Sequence, residues 1–137
     1  MGLVLDSSAA VAAERTGINP RRLLENIALR TGDDEIAISV VTLLELTHGV
    51  YRADTPARKE KRQRFLDELM SAIPIQPVTS SVALRAGQID GESQAKGVLI
   101  PLSDLLIGVT ALELGYEIGT GNVRHFRLIP GLKVISL

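Results

Sequence analysis

The chain contains no cysteine and no tryptophan, and its aromatic side chains are limited to Tyr51, Phe65, Tyr116 and Phe126. Without cysteine there is no disulfide, no thiolate metal site and no cysteine nucleophile, and an intracellular protein is the simplest fit. With so few aromatics, base stacking on an aromatic platform is not the expected way to hold a nucleic acid. Long apolar runs are also missing. None approaches the roughly 20 residues that cross a bilayer, so no membrane partner is expected. The N-terminus lacks a basic segment leading into a cleavable apolar stretch, so no secretion signal is expected and the predicted location is cytoplasmic. Excess charge of either sign is absent too: 15 Lys and Arg face 16 Asp and Glu, for a net charge of -1. Any nucleic-acid site must therefore be a local basic patch or a metal cluster rather than a bulk field.

What is present is enough apolar material for one full core. The 137 residues are 45% hydrophobic and 23% charged, the profile of a single soluble domain over residues 1–137. Short apolar strands alternate with longer helices. Leu3 to Leu5 reads as a buried strand, followed by a helix from Ala9 to about Arg15. Asn19-Pro20 starts a second helix carrying Leu23, Leu24, Ile27 and Ala28, and Gly32-Asp33-Asp34 is a turn. Ile36 to Val40 is a strand, with a helix from Val41 onward whose buried side is expected to hold Leu43, Leu44, Leu46 and Val50. Thr55-Pro56 opens a helix that is charged at first, from Arg58 to Arg64, and then apolar at Phe65, Leu66, Leu69 and Met70. Ile73 to Val78 holds two prolines and reads as an edge strand. Thr79-Ser80-Ser81 caps a helix to Lys96 that Gly97 stops, and Ser103-Asp104 begins another that Gly115 ends. Glu117 to Gly119 and Lys133 to Ser136 are the last strands, with a turn at Gly121-Asn122. The alternation predicts a three-layer α/β/α sandwich around a mainly parallel sheet. In such sheets ligands bind beyond the carboxyl ends of the strands. Asp6 and Asn122 fall there, and Asp104 stands at a helix start on the same rim.

Three carboxylates sit where apolar segments begin or end. They are Asp6 in Leu-Val-Leu-Asp-Ser-Ser, Glu45 in Val-Thr-Leu-Leu-Glu-Leu, and Asp104 in Ile-Pro-Leu-Ser-Asp-Leu-Leu-Ile. Acids among Leu, Val and Ile are costly unless hydrogen-bonded, paired or bound to a cation. Three that converge would bind a hard divalent metal through oxygen. Each also has a plainer reading. Asp6 can cap the helix that follows it, Glu45 can close a capping box with Thr42, and Asp104 can sit in a first helical turn, where the dipole favours an acid. His48 reads as a helix-surface residue. His125, in a turn before Phe126, reads either as a loop residue or as one reaching a phosphate or the acidic cluster. The basic run from Arg58 to Arg64 reads as a solvated helix face, with phosphate contact as the other option. No Ser-His-acid set has supportive spacing, and Gly119-Thr-Gly-Asn122 is no phosphate loop.

Taken together, Leu-Asp-Ser-Ser at 5–8, Ile-Ser-Val-Val-Thr-Leu-Leu-Glu-Leu-Thr-His-Gly at 38–49, Ile-Pro-Leu-Ser-Asp-Leu-Leu-Ile at 100–107 and Gly-Thr-Gly-Asn-Val-Arg-His-Phe at 119–126 resemble the PIN-domain family, and most of all the VapC-type toxins of bacterial toxin–antitoxin pairs. Pro130-Gly-Leu-Lys-Val134 is similar to that family's closing strand, so the resemblance spans essentially the whole chain. It implies an α/β/α sandwich and a metal-dependent ribonuclease. By motif, Asp6, Glu45 and Asp104 match the catalytic acids that hold Mg²⁺ or Mn²⁺. The usual fourth acidic position is Asn122 here, a weaker ligand whose amide adds no charge, and His125 stands where other members often carry another acid. A tightly held second metal therefore does not follow. Thr120 matches the family's turn hydroxyl, and Thr120 and Ser8 are the expected supporting residues. The resemblance further implies an RNA substrate, a homodimer and a small VapB-type antitoxin, with the face around Phe65, Leu69 and Met70 as a candidate docking surface. Two other classes remain open from sequence. One is a metal-dependent phosphatase acting on a small phosphoester, for which Ser8 replaces the expected second Asp. The other is a non-catalytic interaction module whose acids only cap helices.

Overall fold

The computed structural model describes residues 2–32 and 35–137. Asp33 and Asp34 of the turn read from the sequence lie outside the described residues. The elements run β1 (Leu3–Leu5), α1 (Ser7–Arg15), α2 (Pro20–Thr31), β2 (Ile36–Ser39), α3 (Val40–Tyr51), α4 (Pro56–Ala72), β3 (Ile75–Gln76), α5 (Ser80–Ala95), α6 (Leu102–Leu114), β4 (Glu117–Thr120), α7 (Val123–Phe126) and β5 (Val134–Ser136). All strand pairs are parallel, in the order β3-β2-β1-β4-β5. The expected three-layer α/β sandwich with a parallel central sheet is what forms.

The layers follow from the period-2 alternation of side chains along each strand. Leu3 and Leu5 on β1 and Ile36 and Ile38 on β2 face one side, where they pack with Ala9, Ala10 and Ala13 of α1, Ile27 of α2, and Phe65 and Leu69 of α4. Val4 and Ile118 face the other side, against Val82 and Ala86 of α5, Leu105, Ile107 and Val109 of α6, and Phe126 of α7. Buried on both faces, β1 is entirely apolar, as parallel strands tend to be. Helix ends obey local chemistry. Asn19, Thr55 and Thr79 cap α2, α4 and α5 by accepting the N–H three residues on. Gly115 ends α6 in the left-handed region at φ 70°, which a side chain would strain.

Local details depart from the sequence reading. β2 stops at Ser39, whose Oγ accepts the Val41 N–H at 3.0 Å and caps α3. Thr42 is therefore inside the first turn rather than at the cap, no capping box joins it to Glu45, and its fully buried Oγ1 has no hydrogen-bond partner among the described residues. Leu44 is 68% exposed instead of buried. The candidate docking face on α4 is largely interior: Leu69 is fully buried and Phe65 nearly so, which leaves only Met70 exposed. The segment read as a turn around His125 contains the single-turn helix α7. The basic helix face is spent locally in part. Arg58 pairs with Asp54 at 2.8 Å, Arg62 donates to the Gly49 carbonyl at 2.7 Å, and the Lys59 ammonium lies 4.6 Å from the centre of the Tyr51 ring.

The chain runs β1 to β2 to β3 on one side of β1, and returns to lay β4 and β5 on the other. The crevice between the C-terminal ends of β1 and β4 is thus the topological switch point, where open α/β sheets bind ligands. No helix among the described residues is long and apolar enough to cross a membrane.

Candidate active site

Asp6 leaves β1 at the switch point. Its N–H continues the β1–β4 ladder to the Gly119 carbonyl at 3.1 Å, and the residue is only 4% exposed. It occupies the N-cap position of α1 with extended backbone, yet its carboxylate makes no cap bond. The carboxylate is held by hydroxyls instead: Thr120 Oγ1 donates to Oδ2 at 2.7 Å and Ser8 Oγ donates to Oδ1 at 2.7 Å. These hydroxyls are themselves fixed by backbone. Gly121 N–H donates to Ser8 Oγ and Asn122 N–H to Thr120 Oγ1, both at 2.9 Å. The turn after β4 therefore locks the orientation of the acid after β1, a link of 114 residues in sequence.

Glu45 is half-buried on α3 and accepts Ser7 Oγ at 3.0 Å. Asp104, in the first turn of α6, faces the imidazole of α7, with His125 Nδ1 2.7 Å from Asp104 Oδ2. Asp6 makes no side-chain cap bond and Glu45 lies within α3, while Asp104 stands in the first turn of α6, where the dipole favours an acid. Ser8, standing where a phosphatase of the aspartyl-phosphate type would need a second Asp, is committed to holding Asp6.

Electrostatics tie the acids together. Burial pushes Asp6 above the ordinary carboxylate value of 3.8, and the charge of Asp104 pushes it further. The hydroxyls of Ser8 and Thr120 pull the other way, as does the Ala9 N–H, which lies near without completing a cap. Burial likewise raises Glu45 above 4.5, and both Asp104 and Asp6 add to the rise, against the hydroxyls of Ser7 and Ser103. Like charges that disfavour the ionisation of Asp6 and Glu45 share their neighbourhood. As placed, however, no three His, Asp or Glu side chains among the described residues close around a single point at ligating distance. The acids repel, and each rests on its own donor: a pair of hydroxyls, one hydroxyl, or an imidazole. The fit to a divalent cation lies in this chemistry. The donors are hard oxygens whose crowded negative charge a cation would offset. Asn122 is exposed at the start of α7, and its side chain makes no cap bond.

The PIN domain family model matches residues 3–130. This chain belongs to the PIN-domain family. Ribonuclease VapC2 of Rickettsia felis is 30% identical over 129 residues, 94% of this chain and 92% of that protein. The tRNA(fMet)-specific endonuclease VapC of Salmonella typhimurium is 28% identical over 115 residues, 84% of this chain and 83% of that protein. Among solved structures, the VapBC2 complex of R. felis bound to a promoter DNA fragment superposes with a TM-score of 0.84 at 28% identity, covering 100% of this chain and 99% of the matched one.

One residue of this PIN domain site, Ser7, was not picked out from sequence. Ser7 donates to Glu45, and His125, left between two readings, meets Asp104 as one of them had it. The signal was there in the Asp-Ser-Ser and Ser-Asp runs, since hydroxyls beside buried acids are natural donors. Sequence position does not say which acid each hydroxyl reaches, and Ser7 passes over Asp6 to reach Glu45.

The raised proton affinity of Asp6 and Glu45 has a signed consequence. In the fold they hold protons more tightly than in the unfolded chain, so they contribute stability that is full below pH 3.8 and 4.5 and is lost as pH rises through their raised native values. In chelator-treated protein at pH 7, Asp6→Asn should therefore raise the melting temperature, by a few degrees on the usual conversion of about 2–8 °C per kcal/mol. The wild-type-minus-variant difference should shrink toward pH 4. Thermal melts across pH check it, and a variant that melts lower than wild type at pH 7 would refute the electrostatic account.

Proposed function

We propose that this PIN domain is an endoribonuclease of the VapC type, the toxin of a toxin–antitoxin pair, which hydrolyses RNA phosphodiesters with the help of Mg²⁺ or Mn²⁺ held by Asp6, Glu45 and Asp104. The observation that supports the reading is the buried Asp6 carboxylate after β1, held by the hydroxyls of Ser8 and Thr120, with Glu45 of α3 and Asp104 of α6 near enough for their charges to bear on it or on each other. A divalent cation bound there supplies Lewis-acid polarisation of the phosphodiester and lowers the cost of charge developing on its oxygens. The chain's own residues do the rest. Thr120 and Ser8 aim the Asp6 carboxylate, Ser7 holds Glu45, and Asn122, whose N–H donates to Thr120, would add a neutral amide as a weaker ligand. Purified protein incubated with cellular RNA should generate discrete new ends with Mg²⁺ or Mn²⁺ and none with chelator. Equal cleavage under both conditions would defeat the reading.

The small antitoxin partner of VapB type has a seat beside the acids. A groove between α1, α3 and α4 is lined by Ala10, Val11, Leu46, Arg62 and Leu66, with Glu45 among its walls. Its walls are apolar, with Glu14 and Glu45 balanced by Arg15 and Arg62, which suits a short apolar segment with polar ends. The homodimer is supported by Leu44 on α3, Leu84 on α5, and Leu99 and Leu102 at the entry to α6. All four are at least 68% exposed, and they lie on elements that pack together. Leu84→Arg should convert a dimer into a monomer in sedimentation equilibrium, and an unchanged mass would take α5 out of the interface.

A further inference from the structure

His125 is the one imidazole at the acidic rim, and its partner is fixed. His125 Nδ1 lies 2.7 Å from Asp104 Oδ2, and an N–H on Nδ1 there donates to the carboxylate oxygen. The contact is sheltered, with side-chain exposures of 31% for His125 and 20% for Asp104. Both ends of it are anchored. Phe126, the next residue, is 1% exposed in the core against α6. Gly108, one turn beyond Asp104 on α6, lets this region approach closely, because a Cβ there would stand 2.5 Å from Ile129 Cδ1 and 3.1 Å from Leu132 Cδ2. The imidazole is therefore delivered to Asp104 by core packing and not by a free loop.

Asp6 and Glu45 are steadied by hydroxyls, whereas Asp104 has the imidazole. We infer that His125 is a positioning residue: its Nδ1–H holds Asp104 by Oδ2, leaves Oδ1 free for a divalent cation, and so sets how tightly the acidic site binds that cation. The inference rests on the metal-holding role proposed for Asp6, Glu45 and Asp104. A donor behind a ligating carboxylate fixes its rotamer before the ion arrives, and losing such a partner typically costs about 10–100-fold in metal affinity.

The test is titration of Mn²⁺ into chelator-stripped protein, read by the electron paramagnetic resonance of free Mn²⁺, for wild type, His125→Ala and His125→Asn. Wild type should bind. His125→Ala should bind about 10–100-fold more weakly. His125→Asn, whose amide can donate from near the Nδ1 position, should stay within a few-fold of wild type. Thermal melts run alongside show that each variant is folded. His125→Ala binding as tightly as wild type, or more tightly, overturns the inference, as does His125→Asn being as weak as the alanine variant. If wild type itself fails to bind Mn²⁺ over the millimolar range, the metal-holding reading of the acids falls and the inference with it. Binding by wild type with no loss in His125→Ala removes the inference alone.

Discussion

Asp6→Asn is expected to lower cation-dependent RNA cleavage by at least about 10³-fold while leaving the domain folded, and Asp104→Asn should do the same. A metal acting as Lewis acid supplies several kcal/mol of transition-state stabilisation, and each 1.36 kcal/mol is tenfold in rate, which gives about that factor. The amide keeps the shape of the carboxylate, so the loss is one of charge. At position 6 the surrounding hydrogen bonds can reorganise without leaving an orphan. Thr120 still donates to the amide oxygen, the amide N–H₂ donates to Ser8 Oγ, and Ser8 turns its proton to Thr120 Oγ1, 3.3 Å away. At position 104 the amide oxygen still accepts from His125. Mapping RNA ends after incubation with each variant, with and without chelator, measures the loss. Wild-type cleavage by both variants would mean that the acids serve only the fold. Retained stability, or the gain expected of Asp6→Asn in chelator, separates a catalytic failure from a misfolded protein.

The sheet and its helices were legible because their signals are local. Leu3 to Leu5 and Ile36 to Ser39 are short apolar runs bounded by polar residues. Asn19-Pro20, Thr55-Pro56 and Thr79 are caps, and Gly115 and Gly97 are stops, and each of these does in the fold what its chemistry suggests. Errors arose where two local rules compete. Thr42 and Ser39 both qualify as caps for α3, and Ser39 wins because β2 ends there; the helix phase then turns Thr42 inward and Leu44 outward. The apolar end of α4 could equally have been core or docking surface, and packing against α2 and α3 decides for core. The three acids could be named from the sequence, and the crevice at the carboxyl ends of the strands could be anticipated. The connections between them could not. That Thr120 reaches Asp6, Ser7 reaches Glu45 and His125 reaches Asp104 depends on β4 adding beside β1 and on α7 packing against α6, contacts between segments far apart in sequence.

Phe126→Ala should be the most destabilising single truncation around the site, at about 3–5 kcal/mol. The ring is 1% exposed and is the largest of the fully buried side chains. It belongs to a helix of only four residues that cannot hold itself together by backbone hydrogen bonds. Little around it can collapse to fill the hole, since Val109 of α6 and Ile118 of β4 are tied into regular elements and Ile129 already fills the space that Gly108 leaves open. Against a typical total of about 5–15 kcal/mol, such a loss is a large share of the domain's stability. At about 4 °C per kcal/mol, the value between smaller and larger domains, the melting temperature should fall by roughly 12–20 °C. The damage should also reach the chemistry at temperatures where the variant is still folded, because α7 carries His125 and continues from the turn that fixes Ser8 and Thr120 against Asp6. Urea unfolding together with Mn²⁺ titration tests both halves. A loss below about 1 kcal/mol would show that α7 is dispensable to the core. A large loss with unchanged Mn²⁺ affinity in the folded variant would show that the core holds α7 without α7 serving the acids.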